Sequence, residues 1–228
     1  MSSIQAPDGC ADLTRGVFGG GEDTPTSINT IQFFTIPTQS NATDFGDTQS
    51  VIGGGPIGGA SNNTRGVFCI TYIAPASVNT MEFVTIATTG NSVDFGTASS
   101  AYQNGYAAAS PTRGVFGGGR RSSTYLNAID FITIMTTGNA SDFGDLSDQK
   151  RGGSKGTASN SIRAIFFGED KSGDTITNTI EFVNIATTGN AQDFGDATSA
   201  KVRAAAMFSS TRGVFSGGDP GSSPHRVD

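Results

Sequence analysis

Apolar residues in this chain fall in short alternating runs that recur at a fixed spacing. In residues 178–185, Ile180, Phe182 and Asn184 lie on one face while Glu181, Val183 and Ile185 lie on the other. A period of two is the signature of a β-strand. Both faces are partly apolar, which predicts a sheet covered on each side by neighbouring sheets. The same run returns at 29–36, 79–86 and 127–134.

Two further blocks keep step with it. Arg15-Gly16-Val17-Phe18 is repeated at Arg65, Arg113, Arg163 (as Arg-Ala-Ile-Phe) and Arg212, with steps of 50, 48, 50 and 49 residues. Asp-Phe-Gly follows each of the first four copies, beginning at Asp44, Asp94, Asp142 and Asp193. Thr-Thr-Gly-Asn at 88–91, 136–139 and 187–190 reads as a turn with Gly at a positive φ, and 38–41 carries Thr-Gln-Ser-Asn there. It joins the alternating run to a short strand expected to end at Asp-Phe-Gly. A less regular strand precedes each Arg, as in 106–110 and 204–210.

Four strands in a unit of about 49 residues match one blade of a β-propeller. The expected fold is therefore all-β: about four four-stranded blades over residues 15–218, with tails at 1–14 and 219–228. Units start near 15, 65, 113, 163 and 212. Segment 204–210 is expected to close the ring by completing the first blade; the alternative is five blades, the last incomplete. Helical repeat folds need segments that this sequence does not supply.

Composition supports strands and tight turns. Gly is 32 of 228 residues, charged residues are 15%, and Phe occurs 16 times while Trp is absent. Net charge is -6 with a pI of 4.7, which argues against nucleic acid as a partner. No apolar run approaches a membrane span, so no membrane insertion is expected, and residues 1–7 do not read as a signal peptide. Cys10 and Cys69 have no partner at metal-ligand spacing and are expected as free thiols.

The Phe-Gly-Gly-Gly of 18–21 and 116–119 and the four-strand unit resemble kelch repeats, although the Trp familiar in kelch blades is missing. More specifically, Thr-Arg-Gly-Val-Phe-Gly-Gly-Gly with Thr-Thr-Gly-Asn-Ala-x-Asp-Phe-Gly-Asp resembles a repeat of structural proteins of tailed phages, marine and cyanobacterial ones among them. The resemblance covers residues 12–218. It implies a kelch-like virion protein, tail-fibre-like or decorating the capsid. Its partners would be other virion proteins, a host surface glycan, or copies of itself. It transfers no catalytic residue.

The candidate chemistry is thin. The in-register Arg15, Arg65, Arg113, Arg163 and Arg212 and the aspartates Asp44, Asp94, Asp142 and Asp193 are expected to stitch units together. Each Arg would pair with a carboxylate or with loop carbonyls; the rival reading is a ring of charges around a central ligand. Asp-Phe-Gly also holds magnesium in protein kinases, but here it lacks the other kinase elements. Asp47, Asp145 and Asp196 suit Asp/Gly turns as well as Ca²⁺, and no metal or cofactor is expected. The Gly triplets at 19–21, 53–55 and 117–119 lack a following Lys-Ser/Thr and helix, so they are not phosphate loops. His225 stands in a Pro/Gly/Ser-rich tail, a poor place for a catalytic base. Glu82 and Glu181 occupy one repeat position and read as filler, not as a glycosidase pair. No enzyme is expected. Binding, if carried by loops, would use Tyr102, Tyr106, Arg120, Arg121 and Tyr125. A soluble glycan-binding module is the second functional reading.

Overall fold

The computed structural model describes residues 8–23, 26–52, 58–73, 76–101, 103–121, 123–151, 157–168, 170–171 and 175–219. The fold is all-β, with no helix among the described residues. Unit 1 is β1 (Asp8–Ala11), β2 (Arg15–Gly19), β3 (Thr26–Thr35) and β4 (Thr43–Ile52). Unit 2 is β5 (Gly59–Ser61), β6 (Arg65–Ile73), β7 (Ala76–Thr85) and β8 (Val93–Thr97). Unit 3 is β9 (Tyr106–Ala109), β10 (Arg113–Gly117), β11 (Thr124–Thr133) and β12 (Ser141–Arg151). Unit 4 is β13 (Thr157–Ser159), β14 (Arg163–Phe167), β15 (Thr179–Asn184) and β16 (Gln192–Asp196). A two-stranded sheet, β17 (Ala205–Phe208) and β18 (Gly213–Ser216), repeats the first half of a unit.

Each unit is an antiparallel meander in sequence order, as a blade is. The first strands, β1, β5, β9, β13 and β17, lie side by side in that order along one edge of the array. Two expectations are corrected here. Segment 1–14 is not merely a tail, because Asp8–Ala11 pairs with β2 and supplies the first strand of unit 1. Segment 204–210 does not complete that unit; its strand β17 pairs with β18 and packs beside β13. The reading that holds is the one with an incomplete fifth unit.

The strand that was expected to end at Asp-Phe-Gly begins there instead. In unit 1, Ile31 pairs with Gly46 and Gln32 with Asp44, so Phe45 is the extra residue of a β-bulge. The same shift recurs opposite Glu82, Asp130 and Glu181. A bulge turns its extra side chain and needs an unusual backbone. Gly46, Gly96, Gly144 and Gly195 supply it with φ of 145, 140, 145 and 131°. Asp-Phe-Gly is thus a bulge motif. Its Phe meets the Phe of the preceding strand edge-on in every unit, with centroids 5.9 to 6.1 Å apart (Phe33–Phe45, Phe83–Phe95, Phe131–Phe143, Phe182–Phe194).

The core lies between units rather than within any one of them. Val17, Ile31 and Phe45 of unit 1 are buried against Phe68, Val84 and Ile86 of unit 2. Met81 and Phe95 meet Phe116, Ile132 and Ile134. Ile129 and Phe143 meet Phe166, Val183 and Ile185. A single twisted sheet cannot bury both faces alone, so stacking is what gives it a core.

Candidate functional site

The recurrent polar residues converge on the joints between units. A side-chain acceptor first fixes each Arg. Asn62 Oδ1 accepts N–H bonds from Thr64 (2.9 Å) and Arg65 (2.8 Å), and Asn160 does the same for Ile162 and Arg163. Asp12, Ser110 and Ser209 fill that role before Arg15, Arg113 and Arg212. These are the Asx and ST turns that Asn, Asp and Ser form readily.

Four of the five guanidinium groups then lie over a Phe of their own unit: Arg15 over Phe33 at 4.7 Å, Arg65 over Phe83 at 4.0 Å, Arg113 over Phe131 at 4.6 Å and Arg163 over Phe182 at 4.7 Å. Arg15 donates to Ile86 O (3.1 Å), Arg65 to Ile134 O (3.1 Å) and Arg113 to Ile185 O (3.2 Å) and Ala186 O (2.9 Å). Of the two bonding partners expected for these arginines, the structure selects the loop carbonyls of the next unit. The expected partnership with Asp44, Asp94, Asp142 and Asp193 is not the one the arginines make: those aspartates are exposed, and an ion pair that does span a joint is Lys150–Glu181. In unit 4 the Asp193 carboxylate serves its own bulge, accepting the Gly195 N–H at 3.1 Å.

The turn after the alternating strand closes the joint. Gly90, Gly138 and Gly189 donate N–H bonds to Phe45, Phe95 and Phe143 carbonyls of the previous unit, each at 2.7 Å. The adjoining Asn91, Asn139 and Asn190 accept from the backbones of Asp47, Thr97 and Asp145. Asp47 and Asp145 therefore serve the joints through their main chains. No three acidic, Cys or His side chains gather as a metal set among the described residues.

Each joint also buries one acid. Glu82, Asp130 and Glu181 are at most 1% exposed. They accept N–H bonds from Gln49 (2.9 Å), Ser99 (2.8 Å) and Ser147 (2.7 Å) of the unit before. Their second requirement is met differently: Glu82 takes the Ser92 hydroxyl, and Glu181 takes the Lys150 ammonium. The alternation placed Glu181 on the face of Val183 and Ile185, so the signal for a buried acid was present; Lys150 gave none.

Burial raises the Glu82 carboxyl above its usual 4.5, aided by nearby Asp94 and opposed by the bonds from Ser92 and Gln49. The folded state then holds this proton to higher pH than the unfolded chain. Stability accordingly falls as pH rises from 4.5 through the raised folded value. Glu82→Gln, which installs the residue that unit 1 carries as Gln32, is expected to remove that slope and leave neutral-pH stability equal or higher. Urea midpoints measured across acidic to neutral pH check this; an unchanged slope would refute it.

The binding-loop candidates are dispersed. Tyr106 is a correction: it is fully buried on β9, its ring against Phe166 and its hydroxyl donating to Gly168 O at 3.0 Å, so it is core. Arg120 and Arg121 form a short strand beside Tyr125 and Thr124 in unit 3, and Arg151 lies 5.9 Å from the Tyr125 ring. Tyr102 and His225 lie outside the described residues. Cys10 and Cys69 are buried and free of a disulfide.

The first strands line a cleft of about 370 Å³, walled by Ala11, Ser61, Asn62, Ala109, Ser159, Asn160 and Phe208. It has no charged lining residue. Three of its polar groups are engaged, Ser61 Oγ donating to Ala11 O, Asn62 Nδ2 to Pro111 O and Asn160 Nδ2 to Ser210 O, while the Thr157 hydroxyl is buried with no hydrogen-bond partner among the described residues. Those three stitch adjacent first strands. Comparison with known proteins adds no relative: no family model and no curated protein matches the chain.

Proposed function

We propose that this chain is a non-enzymatic structural protein of a tailed-phage particle, tail- or capsid-associated, whose blade-like array serves host attachment or particle decoration. The observation that carries it is the fate of the recurrent polar groups. Arg15, Arg65, Arg113, Glu82, Asp130, Glu181 and the turn asparagines are consumed in unit-to-unit bonds. A group that is spent on packing recurs in every unit, whereas a site used once need not. Variation is left to the connections between strands, where scaffolds of this kind place binding. Many copies on one particle make weak contacts effective through avidity.

Quantitative mass spectrometry of density-purified particles tests this reading. Fixed stoichiometry in the tens or hundreds per particle is the expected result. Absence from the particle overturns it. The reading then passes to a soluble glycan-binding module with the Arg120, Arg121 and Tyr125 rim of unit 3 as its contact surface, for which a glycan screen is the assay.

A further inference from the structure

The outer parts of the two end faces carry the same groups as the three internal joints, but exposed; the inner part of the unit 4 face is covered by β17–β18, where Phe215 meets Phe167. Inside, the bulge phenylalanines Phe45, Phe95 and Phe143 are each 2% exposed, whereas Phe194 of unit 4 is 51% exposed. On the incoming side, Val84 and Ile86 of unit 2 are buried, but their unit 1 counterparts Phe34 and Ile36 are 41% and 50% exposed. Arg163 stacks on Phe182 as the other arginines stack on their rings, yet among the described residues no carbonyl of a following unit receives it. A Cβ built on Gly46, Gly96 or Gly144 would collide with the turn of the next unit, and one built on Gly195 meets nothing within 4 Å.

We infer that these faces are the two halves of a fourth joint, and that its occupant is a second copy of this chain, docked head to tail. The argument is continuity with the internal interface. Unit 1 of the second copy offers every partner that unit 4 lacks. Its Ile36 carbonyl would receive Arg163, and its Ser40 N–H and Asn41 side chain would meet the Phe194 and Asp196 backbones. Its Gln32 Oε1 would replace the buried acid as acceptor for the Thr198 N–H. Gln32 is the neutral member of that repeat position, so this joint needs no counter-ion.

Half-unit β17–β18 already covers the inner half of the unit 4 face, with Phe215 against Phe167 at 4.6 Å, so docking requires either its displacement by the second copy's β1–β2 or the release of that copy's β3 from its own β2. Octapeptides 14–21 and 211–218 differ only at Gly19 and Ser216. β18 therefore offers β3 of the second copy the edge that β2 offers within unit 1, where Val17 pairs with Phe33. Either inner pair, β17–β18 or the second copy's β1–β2, fills the inner half of the joined unit. The outer contacts with unit 4 are the same in both cases. The interface is heterologous, so copies add in one direction.

Sedimentation velocity of the 228-residue chain over a range of concentrations tests this. The wild type is expected to associate with rising concentration. Phe194→Glu (tail face) and Ile36→Glu (head face) should each weaken association at least about tenfold, as loss of a central apolar anchor does. An equimolar mixture of the two should form dimers, through the one intact face on each, and grow no further. Arg163→Ala, which removes a guanidinium stacked on Phe182, should weaken association with only a small change in melting temperature, which guards against misfolding in the glutamate variants. A wild type that stays monomeric throughout overturns the inference. So does association untouched by all three substitutions, or a mixture of folded variants that yields no dimer.

Discussion

Lys150→Met is expected to cost about 3–5 kcal/mol of stability, the penalty for removing one partner of a buried pair. Lys150 is 2% exposed on β12 and Glu181 is 1% exposed on β15, so the ammonium and the carboxylate neutralise each other across the joint between units 3 and 4. Met approximates the length and apolar stem of Lys but leaves the buried Glu181 carboxyl without its ammonium partner. The same repeat position in unit 1 is Ile52, itself buried. An apolar residue is therefore compatible with the backbone there, and the loss should come from the unpartnered carboxyl. The double variant Lys150→Met/Glu181→Gln is expected to recover most of it, because Gln keeps an acceptor for the Ser147 N–H. Chemical denaturation followed by circular dichroism measures both; a single variant that loses less than about 1 kcal/mol would show that water reaches Glu181.

Gly96→Ala should be similarly damaging, at roughly 3 kcal/mol or more, because strain and collision add. The residue has φ +140°, and its new methyl would lie within contact distance of the Gly138 carbonyl in the next unit. Gly195→Ala isolates the first of these effects. Its φ is +131°, but the added methyl meets nothing within 4 Å. Strain alone is worth about 1–2 kcal/mol. A difference of about 1.5 kcal/mol or more between the two variants in thermal or urea unfolding would measure the collision at the joint. Equal losses would mean that the bulge conformation, not the neighbouring unit, demands glycine.

These two residues show which parts of the structure could be read in the chain. The period, the alternation and the Phe spacing predicted an all-β propeller of about four four-stranded blades, and the all-β, four-stranded units are what the structure has, because a two-residue period can place side chains only on alternate faces of a strand. Asp-Phe-Gly was visible as a recurrence, but not as a bulge. Placing an extra residue requires knowing its cross-strand partners, and Gly46 opposite Ile31 appears only once the strands are paired. The arginines were expected to stitch units, and the choice between carboxylate and carbonyl was fixed by distance: the next unit brings its Ile carbonyl to within 3.1 Å of Arg15 and of Arg65. Lys150 was silent because it occurs once, and repeat logic is blind to what is not repeated. Asp8–Ala11 was read as a tail because first strands carry no strong apolar alternation; its pairing with β2 rests on main-chain bonds, which leave no mark on residue type.

The joint bonds described link immediately neighbouring units, forward as from Arg15 to Ile86 and Arg65 to Ile134, and backward as from Gly90 to Phe45. Each unit thus meets the next as it met the one before, and the array has no privileged centre. Its length is a free variable. Excision or duplication of a whole period at the Arg-Gly-Val-Phe boundaries preserves the matching of every surviving joint, leaving only side-chain details such as the Lys150–Glu181 pairing to be resolved. Genetic recombination between the near-identical repeats is the event that produces such changes. A protein built in this way can vary its reach and surface without inventing a new interface.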